Sequence, residues 1–422
     1  MPGTDHEGPG GHPRRAGPRA RLAKRAALAG GAGTLIEFFD FSVYGYLSIT
    51  IAPLFFPADN ATTSLMATLA VYGVAYVARP LGGVVFGHIG DRRGRRGALI
   101  ATVVSMGGTS MLVGLLPTHA QIGAWAGALL LVLRLAQGLS SGGEIGGAAT
   151  LISELAPARR RVLYASAPGI GGTLGHPVPA LGAVDGALAV GTEAVAEEAR
   201  DDREPRDLPI VDVVRRQPRG IVLTACLSLV ANGTTYIGLA YLSIHLIRVH
   251  GYPSTPVYWI TTVVIFLSAP LAPLCGIWAD RVGVKRVGWV SLLGYLVLAY
   301  PVLAVMAWGS LTVSAVAFLL FVVLNAPIQV ATFALMPRYF DRELRYSGVA
   351  LGYNIGVMLA GGTAPLIATW LVETTGSANA PALFVVATVL VGAVALSATR
   401  KRDLRDDSGP AEVPVLPDGA IT

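Results

Sequence analysis

Residues 33–46 read GTLIEFFDFSVYGY, at the head of an apolar run that reaches Phe56. Two carboxylates, Glu37 and Asp40, interrupt this run. At the centre of a membrane helix each should cost roughly 2.5–3.5 kcal/mol, against a gain of a few tenths per leucine. A helix with such a stretch cannot face lipid on all sides. It needs neighbours, and a polar interior to turn its acids toward.

The rest of the chain supplies the neighbours. Of its 422 residues, 53% are hydrophobic and only 14% charged, and the mean hydropathy is +0.58. Runs of about 20 apolar residues, long enough to cross a hydrocarbon core, recur along its length. They lie near 33–56, 65–89, 97–117, 122–147, 219–247, 257–279, 287–308, 311–336, 346–371 and 381–398, with a weaker one near 163–190. The expected fold is an all-α polytopic membrane protein with about 11 recognisable spans. Cys226 and Cys275 sit in separate apolar runs without metal-ligand spacing, and no metal or other cofactor is expected. No P-loop signature points to nucleotide-driven transport.

Positive charge is distributed by loop. Basic clusters occupy 14–25, DRRGRR (91–96), ARRR (158–161), VVRRQPR (213–219), DRVGVKR (280–286), PRYFDRELR (337–345) and RKRDLR (400–405). The alternate loops FPADNATT, PTHAQIG, WGSLT and ETTGSANAP carry no Lys or Arg, and Arg248 alone departs from the pattern. Under the positive-inside rule both termini are expected in the cytoplasm. These clusters flank spans and lack interleaved aromatics, so nucleic acid is not an expected partner. The same rule demands an even number of crossings between 158–161 and 213–219. Yet the apolar part of 162–199 is broken by His176, Pro177, Pro179 and Asp185. A sixth span reads as missing or degenerate.

A repeat relates the two halves. Gly87, Asp91, Arg92, Gly94 and Arg96 recur as Gly276, Asp280, Arg281, Gly283 and Lys285, offset by 189 residues. Parallel halves with a site between them are a transporter architecture. The expected layout is a cytoplasmic tail (1–30), an N-terminal bundle (31–190), a charged cytoplasmic linker (191–218), a C-terminal bundle (219–399) and a second tail (400–422).

GHIGDRRGRR resembles the loop motif of the major facilitator superfamily. IEFFDFSVYG (36–45), ARPLGGVVFGHIGDRRGRR (78–96), RLAQGLSSGGEIGGA (134–148) and RYSGVALGYNIG (345–356) together resemble its metabolite:proton symporter family. The resemblance spans about 31–165 and 210–398, and lapses near His176, where family members continue into a sixth helix. It implies two pseudo-symmetric helical bundles and alternating access. The implied function is proton-coupled uptake of a small polar solute of the proline/betaine type, by an enzyme-free, monomeric carrier. A carboxylate symporter, an efflux antiporter and a degenerate relative that does not transport remain as alternatives.

Candidate residues follow from charge inside apolar runs. Glu37, Asp40 and Tyr44 share a helical face by their spacing of three and four. Arg134, Gln137 and Glu144 share a stripe of another span, and Arg134 needs a carboxylate, for which Glu37 and Asp40 both qualify. Arg79 has two readings, an anion-binding cation or a side chain reaching for the interface. Tyr353 and Asn354 are candidates for the cavity wall, and Asn325 and Gln329 further ones. Gly87, Asp91, Arg92, Gly94, Arg95 and Arg96, with Asp280, Arg281 and Gly283, are expected to form a gate on the cytoplasmic side. The glycine series 138/142/146 and 348/352/356 are expected to pack helices closely.

Overall fold

The computed structural model describes residues 18–59, 61–93, 95–157, 160–168, 171–172, 209–341, 343–400 and 403. The broken stretch at 173–208, with the parity problem it raises, lies outside the described residues, as do Gly94, residues 1–17 and most of 401–422. Among the described residues the fold is all helix.

Twelve helical units can be followed. In the first half they are α1 (Pro18–Phe55), α2 (Ala61–Arg93), α3 (Arg95–Gly114), α4 (Trp125–Leu155), α5 (Arg161–Ala165) and α6 (Pro209–Arg216). In the second they are α7 (Pro218–Arg248), α8 (Thr255–Val282), α9 (Val284–Met306), α10 (Leu311–Tyr339), α11 (Arg345–Thr375) and α12 (Pro381–Ala398). Seven stretches are long and apolar enough to cross a membrane: Ala70–Ile89 within α2, and all of α7 to α12. The helices α1 and α4 are not among the seven. They hold Glu37, Asp40, Arg134 and Glu144, charges that lower mean hydropathy while pointing inward.

Helix ends follow local chemistry. Gly283, at φ 99°, makes the turn between α8 and α9, and Gly376, at φ 66°, closes α11 in the left-handed conformation. Ser310 caps α10 by accepting the Val313 amide at 3.4 Å. Large apolar side chains are exposed along the helices, as a lipid-facing surface requires. Trp125, Trp259, Trp308 and Trp370 are all exposed near the helix ends opposite the basic clusters, the position of an interfacial aromatic belt.

Glycines set the spacing within the first half. A Cβ at Gly138 would run into the Ala75 carbonyl, and one at Gly142 into the carbonyl of Arg79. The backbones of α4 and α2 therefore touch. In the second half, Gly352 and Gly356 bring α11 onto α7, against Thr224 and Ala225.

The halves are joined from one end to mid-depth. At the end bearing the basic clusters, Gly87 of α2 lies against Ser347 of α11, and Gly276 of α8 against Leu163 of α5. Asp280 accepts the amides of Val162 and Leu163, both at 3.1 Å. Tyr346 donates to the Gly143 carbonyl at 2.8 Å and Asn354 to the Gly142 carbonyl at 2.6 Å. The seam continues to mid-depth, where Tyr76 donates to the Tyr236 hydroxyl at 3.0 Å. One turn further along α2, Gly73 still lies against Gly362 of α11. The part of α8 from 255 to 268 and the part of α7 from 242 to 248 pack extensively only within their own half. Among the described residues, the hydrogen bonds that join the halves cluster from the basic end to mid-depth.

Candidate functional site

Each charged residue within the first bundle is placed by a helix contact. Because Gly142 abuts the Arg79 carbonyl, the Arg79 side chain is turned away from α4 and toward α1. There its Nη2 lies 2.5 Å from Glu37 Oε1, with both side chains almost wholly buried. The guanidinium sits over two rings, 4.5 Å from the centroid of Phe41 and 4.8 Å from that of Tyr76. A planar cation is well held by such a pair of faces. Glu37 Oε2 has no partner among the described residues.

Of the two acids offered to Arg134, the structure brings it Asp40. Its Nη1 donates to Asp40 Oδ2 at 3.3 Å, and its guanidinium lies 3.7 Å over the Tyr44 ring. Tyr44 stacks on Tyr72 at 5.9 Å and donates to the Thr68 carbonyl at 3.2 Å. Arg79 does not reach the interface, so that reading of it fails here. It is 1% exposed and lies at the centre of the bundle.

Glu144 and Gln137 share the α4 face with Arg134 and are buried with it. Gln137 donates to Ser110 Oγ at 2.9 Å, tying α4 to α3. Glu144 reaches toward α1, where Gly33 leaves room for its carboxyl, and its Oε1 is buried without a partner. A charge in that position is strongly disfavoured unless something compensates it.

The second-half candidates behave differently. Tyr353 is buried, with its hydroxyl 3.3 Å from Asn232 Oδ1. Asn354 spends its amide on Gly142 and on the Ala350 carbonyl at 2.7 Å. Of the two, Asn354 reaches across the seam to α4, while the contacts described for Tyr353 are to Asn232 and Phe333 of its own half. Asn325 and Gln329 do line a pocket, with Thr234, Thr235 and Ser268.

At the basic end, the backbone of the 91–96 segment ends α2 and begins α3, and nothing is described of the side chains of Asp91, Arg92, Arg95 and Arg96. The repeat copy is described. Asp280 bridges to α5, Gly283 makes the turn, and Arg281 is exposed. Reading the sequence overlooked Tyr72, Tyr76 and Tyr236, whose hydroxyls form a chain of 2.8 and 3.0 Å from one half to the other. Their spacing of four on α2 was the one available signal.

Two bundles joined from one end to mid-depth, with paired charges buried between helices, define a membrane transporter of the two-bundle class. Comparison with known proteins agrees. A family model described as the Major Facilitator Superfamily matches residues 223–420, and one described as Sugar (and other) transporter matches 26–184. The Ectoine/proline transporter ProP of Corynebacterium glutamicum is 30% identical, over 86% of this chain and 81% of its own. A putative proline/betaine transporter of Staphylococcus aureus is 31% identical, over 88% of this chain and 87% of its own. The inner membrane metabolite transport protein YhjE of Escherichia coli is also 31% identical, over 87% of this chain and 92% of its own. Among solved structures, the proton:xylose symporter XylE aligns with a TM-score of 0.69 at 15% identity, covering 90% of this chain and 96% of its own. A bacterial ferroportin homologue in an outward-facing state aligns at 0.61, also with 15% identity, over 89% and 98%. Both show the fold alone. The chain belongs to the major facilitator superfamily, alongside its proline/betaine transporters, and is a multi-pass membrane transporter of a small molecule, not an enzyme.

Proposed function

We propose that the protein is a proton-coupled symporter that takes up a small zwitterion of the proline/betaine type. The observation that carries this reading is the buried Arg79–Glu37 pair at 2.5 Å. Arg79 can serve either the Glu37 carboxylate or a solute carboxylate. A proton on Glu37 neutralises the first claim and releases the guanidinium for the second. Solute and proton then bind together because each needs the other. Arg134 with Asp40 forms a second, more exposed pair that guides the anion inward. Glu144, a buried acid whose Oε1 has no partner among the described residues, is the second proton-holding group. The names of the relatives favour a proline or betaine over a dicarboxylate.

In this reading the basic end is cytoplasmic, with both termini there, and the contacts joining the halves at that end belong to a state closed toward the cytoplasm. The chain works as a monomer, with 31–190 and 219–399 as rocking bundles and 191–218 as their linker. The segment 91–96 and its repeat around Asp280 latch the cytoplasmic end.

Uptake into vesicles with an imposed inward proton gradient tests the reading, using labelled proline, glycine betaine and α-ketoglutarate. Gradient-driven accumulation of a zwitterion is expected, and Glu37→Gln should abolish it while solute counterflow without a gradient persists. Accumulation undiminished in Glu37→Gln would refute the coupling. For the latch, Asp280→Ala loses two hydrogen bonds to a charged acceptor, each worth about 1.5–3 kcal/mol. It should shift the population toward opening at the basic end. Increased labelling of a single cysteine placed at Ser347 reads that shift; labelling equal to the parent would remove Asp280 from the gate.

A further inference from the structure

The end of α7 away from the basic clusters carries a pair of imidazoles that the charged site does not use. There the amides of Val249 and His250 both turn back to the His245 carbonyl, at 2.9 and 3.3 Å, and Tyr252 donates to the Leu246 carbonyl at 3.1 Å. Gly251, at φ 70°, lets the chain reverse over the helix end. The reversal lays the His250 ring against that of His245, with centroids 4.9 Å apart and planes at 86°.

The hydrogen bonds of this pair are incomplete. His245 is 0% exposed. Its Nδ1 lies 3.4 Å from the hydroxyl of Tyr241, one turn earlier, and its Nε2 is buried without a partner among the described residues. Nε2 of the half-buried His250 is in the same condition. An unpaired buried nitrogen carries its full desolvation cost, and two of them in neighbouring rings can be satisfied by one shared partner. Burial also holds the His250 imidazole below its usual range, in the neutral form that offers a lone pair.

We infer that His245 and His250 form a binding site for a divalent transition-metal ion such as Zn²⁺, with Nε2 of each ring as ligand. The spacing fits. Two imidazoles on one tetrahedral ion, with bonds of about 2.0–2.1 Å, have their centroids about 5 Å apart. Tyr241 supplies what a metal-bound histidine ordinarily has, a partner for its other nitrogen that fixes ring orientation and tautomer. Imidazole ligands favour zinc, copper or nickel over magnesium and calcium. Among the described residues no third His, Cys, Asp or Glu joins the pair, so water completes the coordination. With half of a four-ligand set, the expected dissociation constant is about 1–100 μM, far weaker than that of a structural zinc site. The ion pins the turn that leads into α8 to the last turn of α7. It draws on nothing in the Arg79–Glu37 pair and stands whatever solute is carried.

Calorimetric titration of Zn²⁺ into the purified full chain, carried on a tag without histidine, tests the site. The parent is expected to bind one equivalent of Zn²⁺ that His250→Ala and His245→Phe each lose, and to bind neither Mg²⁺ nor Ca²⁺ there. Tyr241→Phe should keep the equivalent and weaken it by about tenfold. Thermal unfolding without metal checks that the variants are folded, and His250→Ala, altered only in the turn beyond the helix, carries the test if His245→Phe is not. No Zn²⁺ binding by the parent overturns the inference. So does parental stoichiometry and affinity in folded His250→Ala, which would assign the bound ion to other histidines.

Discussion

Arg79→Met is expected to cost about 3–5 kcal/mol of stability and all transport. It strands Glu37, 0% exposed, as a buried acid without a counter-ion. Adding Glu37→Gln removes the stranded group, so the double variant should recover most of its thermal stability in detergent while remaining inactive. This split is the informative part. Arg79→Lys keeps the charge but not the planar group that lies over Phe41 and Tyr76, so it should unfold at a lower temperature than the parent and transport poorly. Parent-like uptake by Arg79→Met would show that the pair takes no part in transport. Failure of the double variant to regain stability would show that the two residues do not act as a pair.

Gly142→Leu should be nearly as damaging, for a reason that has nothing to do with charge. A Cβ there overlaps the Arg79 carbonyl and crowds the Gly83 amide, and both are backbone atoms that cannot rotate aside. Overpacking of this kind costs typically 1–3 kcal/mol and here also displaces Arg79 from α1. Thermal unfolding should drop by several degrees and solute binding should fall with it. Gly97→Ala, where nothing lies within 4 Å of the added carbon, is the control and should match the parent. A Gly142→Leu protein with native stability would mean that α2 and α4 are farther apart than described.

Much of this was legible beforehand. Loop charges and apolar runs gave the helical bundle, and the spacing of Glu37, Asp40 and Arg134 placed the charged residues in its interior. The partner assignments were not legible. Glu37 and Asp40 share a face, but a three-residue step turns one toward α2 and the other toward α4, and only the packed position of each helix decides which arginine it meets. That position depends on Gly138 and Gly142, whose effect is on backbone approach. Arg79 was ambiguous for the same reason, because its depth in the bundle is a property of α2 against its neighbours. Asn354 looks like a cavity residue in isolation; its bond to the Gly142 carbonyl of α4 makes it a contact across the seam.

The bonds that close the basic end share one trait. Asn354 and Tyr346 reach the carbonyls of Gly142 and Gly143, and Asp280 reaches the amides of Val162 and Leu163. Among the described residues, one partner in each of these bonds is main chain. Every amino acid presents the same carbonyl, so a change of residue type there does not by itself remove the acceptor, and a change in Asn354 needs no matching change opposite it. The two bundles can therefore drift apart in sequence without losing their grip on each other. Methods that infer contacts from correlated substitutions should find this seam nearly silent, although it is where the halves hold together.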